Sequence, residues 1–199
     1  MKISELSELH YIAPIGNIVS IMQRGILSHN LVKRIKHEDI SNVKVQDRRE
    51  DKVIPGGKRL HDYANLYFDA RNPMLFYIKC QGNITEICIL RIDKEILFLN
   101  GVVITDRNAS SDYAHFEPAP EGLKIVDKEL TYAKYWNADD EFEKMRRKSK
   151  RSAEVLVPAK VDPKYIFGAY VSCQEAKECF EAQGVNIPII INSYMFFDR

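Results

Sequence analysis

Tyr67-Phe68-Asp69-Ala70-Arg71-Asn72-Pro73-Met74-Leu75 is the stretch on which the reading of this chain turns. It sets aromatic side chains among polar ones. Aromatic rings can stack a flat heterocycle such as nicotinamide or adenine, and they fill a core equally well. Phe68 reads as core and Tyr67 is open to either use. Just upstream, His61-Asp62 has the residue types of a catalytic pair. Adjacent side chains rarely orient each other, so a structural turn is the better reading. Downstream, Met74 to Lys79 and Ile84 to Ile92 read as strands rich in Ile, Phe and Tyr, with Gly82-Asn83 as a hairpin link.

Working outward, Leu9 to Ala13 reads as a short strand. Ile15, Ile18, Val19, Ile21 and Met22 follow at helical spacing, and Gly25 stands where a C-terminal cap belongs. Lys33 to Lys58 is polar, ends in the turn signal Pro55-Gly56-Gly57, and predicts a long loop with at most a short helix. Ile96 to Leu99 and Val102 to Ile104 are further strand candidates, followed by an irregular stretch from Asp106 to about Leu123. Helices are predicted around Val126 to Tyr135 and Asp139 to Lys148, and strands over Ala153 to Val157, Ile166 to Val171 and Ile189 to Ile191. Ser172 with Glu175 three positions on predicts a capping box for a helix whose apolar face is Cys173, Ala176, Cys179 and Phe180, ended by Gly184. The sum is one mixed α/β (α+β) domain over residues 1–199. It lacks the regular βαβ alternation of a doubly wound sheet, and neither a GxGxxG nor a Walker A sequence is present.

Bulk properties narrow the function. With 45% hydrophobic and 29% charged residues in 199, the chain can bury a sizeable core. No apolar run is long enough to span a bilayer and no signal peptide opens the chain, so the expected location is cytoplasmic, with no membrane partner. The four cysteines show no CxxC pair and no histidine pair has zinc spacing, which predicts reduced thiols and no metal. The net charge of +1 gives no global argument for nucleic acid. Locally, however, Lys144 to Arg151 places six cations in eight residues, either an anion-binding element or a solvated helix end.

Four features could carry chemistry. Glu154 stands at the mouth of an apolar strand directly after the basic run. A carboxylate there is either a solvated edge residue or a group that holds a sugar hydroxyl and stabilises an oxocarbenium ion. Arg48 and Arg49 offer planar forks suited to a pyrophosphate, or are surface arginines of a charged loop. Thr105 to Phe116 alternates small polar residues and rings, as a loop that wraps an unstacked base would, or an ordinary polar loop. The fourth is the Tyr67 to Leu75 stretch itself.

Taken in order, these residues resemble the DarT family, the DNA ADP-ribosyltransferase toxins of bacterial toxin–antitoxin pairs. The similarity runs through His10-Tyr11-Ile12-Ala13-Pro14-Ile15-Gly16-Asn17-Ile18, Leu27-Ser28-His29-Asn30, Gln46-Asp47-Arg48-Arg49, Leu60-His61-Asp62-Tyr63, Tyr67 to Leu75, Thr105-Asp106-Arg107-Asn108 and Ala153-Glu154-Val155-Leu156-Val157. The resemblance implies an ADP-ribosyltransferase fold, a split central mixed β-sheet with flanking helices around an NAD+ cleft. It implies Arg49 and Glu154 as catalytic residues, with Tyr11, Ile12, Ala13, Ser20, Leu27, Arg49, Tyr67 and Met74 about NAD+ as co-substrate. About residues 33–52 would cover the bound dinucleotide. Residues 108–154 would hold single-stranded DNA, with Asn108, Tyr113, His115, Arg146, Arg147, Lys148, Lys150 and Arg151 as contacts. The expected partner is a DarG-type macrodomain antitoxin that removes the modification. The expected reaction moves ADP-ribose from NAD+ to thymine in single-stranded DNA. The alternatives are transfer to guanosine, RNA or protein, a non-catalytic NAD- or DNA-binding module, and simple hydrolysis of NAD+. The chain departs from the family pattern at Tyr11-Ile12-Ala13, where His-Ile-Thr is usual. Its His10 is one position off and should face the opposite side of the strand. Asn108 also stands where some members carry histidine.

Overall fold

The computed structural model describes residues 1–82 and 84–198. Ten strands are present among them: β1 (Leu9–Pro14), β2 (Ile26–Leu27), β3 (Tyr63–Tyr67), β4 (Ile87–Ile92), β5 (Val103–Thr105), β6 (Phe116–Pro118), β7 (Glu154–Pro158), β8 (Lys160–Val161), β9 (Ile166–Val171) and β10 (Ile189–Ile191). Eight of them form one sheet in the order β10-β9-β4-β1-β3-β7-β5-β6, while β2 pairs only with β8. Every neighbour is antiparallel except β10 on β9, which makes the sheet mixed.

The sheet nearly parts in its middle. β1 pairs with β4 along its whole length, from Leu9↔Ile92 to Pro14↔Ile87. β3 pairs with β7 from Tyr63↔Pro158 to Tyr67↔Glu154. Between β1 and β3 the only register pair is His10↔Tyr67. From that junction the two halves diverge, and the residues of β1 beyond His10 face a space where a partner strand would otherwise lie. One large core fills beneath, from Leu9 and Leu66 to Val155 and Phe180, all without exposed surface. The central strands β4 and β7 are apolar apart from Arg91 and Glu154, because both of their faces are covered.

Helices α1 (Ile18–Arg24), α2 (His29–Val32) and α3 (Val43–Glu50) border the split. Gly25 ends α1 with φ +92°, and a Cβ there would lie 2.2 Å from the Val161 carbonyl oxygen, so only glycine fits where α1 meets β8. The charged stretch from Lys33 to Lys58 is loop with a short helix, as its sequence predicts, α3 occupying eight of its residues.

The main correction concerns Met74 to Lys79, which is helical. It belongs to α4 (Pro73–Cys80). Asn72 caps this helix, its Oδ1 accepting from the Met74 and Leu75 amides at 2.9 and 3.2 Å, and Pro73 occupies the first turn. Those start signals outweigh the β propensity of Phe, Tyr and Ile. With α4 a helix the proposed hairpin disappears. Gly82 lies just beyond its C-terminus and Asn83 lies outside the described residues. Ile96 to Leu99 is likewise not a strand but part of a 3-10 turn over Lys94–Phe98 started by Asp93, whose side chain accepts from the Glu95 amide.

Three helices complete the chain. The segment from Val126 to Tyr135 yields only α5 (Lys128–Thr131), capped by Asp127. α6 (Glu141–Lys150) is capped by Asp140 and carries the basic run. α7 (Gln174–Glu181) starts after Cys173 without a side-chain cap, so the Ser172–Glu175 capping box does not form. Of its expected apolar face, Ala176 and Phe180 are buried and Cys179 is exposed.

Candidate functional site

Glu154 opens β7 opposite Tyr67 and has no exposed surface. A carboxylate buried alone would cost several kcal/mol, on the order of its desolvation penalty, so it must be paired. Arg49, in the last turn of α3, supplies the pairing. Its Nη1 donates to both Oε1 and Oε2 of Glu154 and its Nη2 to Oε2, each at 3.1 Å. The Ala109 amide donates to Oε1 at 3.1 Å, and the Glu154 amide itself donates to Thr105 Oγ1 at 3.1 Å. Strand register, a helix end and a loop thus converge on one carboxylate. Of the two readings left open by the sequence, the solvated edge residue is excluded for Glu154. The arginine pair also divides, with Arg49 buried and Arg48 exposed.

Beside this pair lies a cleft in the split of the sheet. Tyr11, Ile12 and Ala13 of β1, Ser20 of α1, Leu27 of β2, Arg49 of α3, Tyr67 of β3 and Met74 of α4 all line it. The eight residues expected about a dinucleotide therefore line one cleft. Tyr67 Oη donates to Met74 Sδ at 3.2 Å, which fixes the ring across the cleft floor. Burial, and then the Glu154 charge, push the Tyr67 phenol well above its usual range. Burial, with Asp39 and Cys88 adding to it, pushes Tyr11 up to about 12. Both phenols stay neutral. His10 does turn to the opposite side: its Nε2 meets Glu8 Oε1 at 3.1 Å and its Nδ1 accepts from the Ala70 amide at 3.3 Å. The Tyr170 hydroxyl and Arg91 Nε also donate to Glu8.

One contact in the cleft escaped the sequence reading. The His29 and His61 rings lie 4.2 Å apart on the cleft wall. His61 does sit in a 3-10 turn, as expected, but its Nε2 also meets Gln46 Oε1 of α3 at 3.0 Å. Burial first, then the positive charges of Arg49 and Lys33 and the neighbouring His29, bring His61 down to about 4. His29 is 32 positions earlier, and no sequence spacing announces the stack. Residues 35–42 form a further strap over the cleft, held where Asn17 exchanges bonds with the Glu38 backbone at 2.8 and 3.0 Å.

The loop after β5 brings Asn108 to the cleft mouth. Its amide donates to the Ser149 carbonyl at 3.1 Å, and its Oδ1 accepts from Ser110 N and Oγ. Tyr113 and His115 project outward, both largely exposed. Asp106, given no role by the sequence reading, ties this loop to α6, accepting from Arg107, Lys150 and the His115 amide. Burial opposes its charge, but those donors prevail and hold its pKa below the ordinary value.

The basic run divides by environment. Lys148 is exposed, while Arg146 and Arg147 lie at the surface in ion pairs with Glu143. Such exposed pairs exchange readily for phosphate. Lys150 is committed to Asp106. Arg151 corrects the expectation of a DNA contact. It is 2% exposed, its Nη2 donates to Asp69 Oδ2 at 2.8 Å and its Nη1 to the Thr131 carbonyl. It is a scaffold group that cannot reach solvent. Among the described residues no cluster of His, Cys, Asp or Glu could hold a metal ion, and no helix is long and apolar enough to cross a membrane.

The split sheet around this cleft is the fold of the DarT ADP-ribosyltransferases. The fold matches that of Thermus sp. 2.9 DarT in complex with NAD+, with a TM-score of 0.79, 27% identity, and coverage of 96% of this chain and 98% of that one. The same Thermus protein in complex with ADP-ribosylated single-stranded DNA matches with a TM-score of 0.81 over 96% of both chains, at 27% identity. The family model described as "ssDNA thymidine ADP-ribosyltransferase, DarT" matches residues 10–197, and the chain belongs to that family. A DNA ADP-ribosyl transferase–DNA ADP-ribosyl glycohydrolase fusion protein of Thermosipho africanus (strain H17ap60334) is 34% identical over 201 residues. That alignment covers 96% of this chain and 49% of the relative, so the chain spans about half the length of the fusion protein.

Proposed function

We propose that this chain transfers ADP-ribose from NAD+ to thymine in single-stranded DNA and releases nicotinamide. The observation that carries the reading is the buried Glu154, clamped by Arg49 at the edge of the cleft. NAD+ lies in the cleft between β1 and β3, its nicotinamide beside Tyr67. A carboxylate has about four lone-pair sites. In the structure three bonds from Arg49 and one from Ala109 fill them. A ribose hydroxyl must therefore displace an arm of Arg49 before Glu154 can hold it. The freed guanidinium is then available to the pyrophosphate or to the incoming base.

Chemistry follows from that exchange. The bond between the ribose anomeric carbon and nicotinamide breaks, and its electron pair leaves with nicotinamide. The Glu154 carboxylate stabilises the oxocarbenium ion electrostatically. A thymine ring nitrogen, presented by the loop around Asn108, gives the electron pair of the new bond, and its proton passes to water. Arg49 is not the base in this scheme, since a guanidinium keeps its proton up to a pKa of about 12 or more. It steadies the ring as negative charge develops. Tyr113, His115, Arg146, Arg147 and Lys148 hold the strand on the outer face of the loop and α6, while Arg151 is left out.

Residues 1–199 act as one transferase unit in the cytoplasm, where NAD+ and DNA meet. The relative that joins a transferase to a DNA ADP-ribosyl glycohydrolase supports a matching partner, a DarG-type macrodomain that removes the ADP-ribose and makes the pair a toxin and its antidote. The test is the mass of a single-stranded oligonucleotide after incubation with NAD+. A gain of one ADP-ribose, located on thymine by fragmentation and lost with Glu154→Ala, is expected. Gain on guanine, on RNA only or on protein overturns the substrate assignment. NAD+ loss without any acceptor makes the chain a hydrolase.

A further inference from the structure

We propose that an aromatic cup between α4 and the α5–α6 connection is a second base-binding site, taking an unpaired nucleobase of the DNA strand a few nucleotides from the target. This rests on the reading of single-stranded DNA as substrate. The cup is a cavity of about 260 Å³, separate from the NAD+ cleft, bounded by Phe76, Tyr135, Trp136 and Phe197 with Arg71 and Lys134 at its rim. Three of its rings stand edge to face: Phe76–Trp136 at 5.7 Å, Phe76–Phe197 at 5.2 Å and Trp136–Phe197 at 5.9 Å. Phe76 and Tyr135 are 44% and 64% exposed, a large apolar area to leave in water without a use.

The cup is rigid and cationic, as a base site should be. The Arg71 guanidinium lies 4.4 Å from the Phe197 centroid, while its Nε donates to the Tyr194 carbonyl and its Nη1 to the Lys134 carbonyl, at 3.0 and 2.7 Å. Lys134 Nζ lies 5.3 Å from the Tyr135 ring. Arg147 of α6 donates to the Asn137 carbonyl at 3.3 Å, which sets the exposed cations of α6 against the rim. From Lys134 to Arg151 seven cations face four acids; Lys150 and Arg151 are held by Asp106 and Asp69, and Glu141 and Glu143 are paired within α6. Aromatic faces beside a positive track are what a single strand needs, because every base has a π face and every link carries a phosphate.

The cup is also geared to the catalytic site. Arg71 follows Tyr67 by four residues, which keeps their Cα atoms within about 15 Å, and Tyr67 pairs with Glu154. The Arg151–Asp69 pair locks the turn between them. A strand whose target base enters by Asn108 can therefore reach the cup along the loop and α6.

Trp136 is the only tryptophan in the chain, so its fluorescence reports cup occupancy without turnover. The test titrates the full chain, without NAD+, with a short single-stranded oligonucleotide holding only the target and with a longer one. Transfer to each strand is then measured for wild type, Trp136→Ala, Trp136→Phe and the surface variant Tyr135→Ala. The longer strand is expected to quench Trp136 and the short one to leave it unchanged. Trp136→Ala and Tyr135→Ala should raise the KM of the longer strand about ten-fold, erasing its advantage over the short one, and Trp136→Phe should keep most of that advantage. No quenching by the longer strand, or equal losses on both strands, overturns the cup. Quenching without any transfer to DNA would instead overturn the proposed reaction and leave the cup standing.

Discussion

Among the described residues, the arginine–carboxylate pairs Arg49–Glu154 and Arg151–Asp69 look alike by burial. The side-chain exposures are 7% and 0% in the first and 1% and 15% in the second. Both join segments far apart in the chain, and both cost desolvation that only good geometry offsets. Their surroundings separate them. Arg49 lines a cleft, and its contacts to Glu154 can be exchanged one at a time for those of a ligand. Arg151 lines neither the cleft nor the cup. It spends its terminal nitrogens on Asp69 and the Thr131 carbonyl, and its Nε has no partner. Burial and pairing alone do not mark a reactive site; an exchangeable pair beside an open volume does.

The sharpest way to break the comparison is to disrupt each pair in turn. Glu154→Gln keeps the shape and loses the charge that faces the oxocarbenium ion. Transfer to a thymine oligonucleotide, read by mass, is expected to fall by about 10²–10³-fold or more, with near-native circular dichroism. Transfer within ten-fold of wild type would deny Glu154 its role. Arg151→Met should do the reverse. It leaves Asp69 without its partner, and because that carboxylate keeps some access to water the stability loss should be about 2–4 kcal/mol. That is roughly 5–15 °C in Tm for a chain of this length. Transfer by the molecules still folded at low temperature should stay within a few-fold of wild type. A collapse of transfer with unchanged Tm would move Arg151 into the reaction.

Arg49→Lys sharpens the same contrast from the other partner. A lysine keeps one charge but cannot bridge both carboxylate oxygens or fork onto a pyrophosphate. Transfer should fall by about 10–100-fold, two powers of ten being about 2.7 kcal/mol, with little change in Tm. If Arg49→Lys were as stable and as active as wild type, the exchange of Arg49 for a ribose hydroxyl would not be the step that arms Glu154.

How much of this was legible beforehand follows the range of each interaction. The local signals of β1, α1 and the Gly25 cap could be read, because periodicity and a positive-φ glycine are local properties. The family motifs led to Arg49, Glu154 and the cleft wall, and the strand register then showed why residues 105 apart meet. Met74 to Lys79 was misread because its Phe, Tyr and Ile content was weighed above the Asn72-Pro73 start signal, which is equally local. The fate of the basic run was not legible at all. Arg146 and Arg151 are chemically identical, and only α6 docking on Asp69 and Thr131 buries one and leaves the other in solvent. The His29–His61 stack is invisible for the same reason.

That stack gives the smallest prediction. His61 titrates at about 4 in the folded chain, against about 6.5 when unfolded. Between these values the unfolded chain binds more protons, so stability rises with pH across the window and is lost as pH falls from about 6.5 towards 4. The bare shift corresponds to roughly 3 kcal/mol. Water in the adjoining cleft reduces this to about 1 kcal/mol, or about 2–4 °C in Tm. His61→Gln cannot acquire the charge, so its Tm should fall less than that of wild type over this window, with the carboxylates titrating equally in both. Protonation keeps the Nε2–H bond to Gln46 Oε1 but sets a second positive charge near Arg49, so repulsion should also lower transfer before the fold is lost. Parallel Tm profiles for the two proteins would mean that His61 is charged in the cleft, and that Arg49 is held without it.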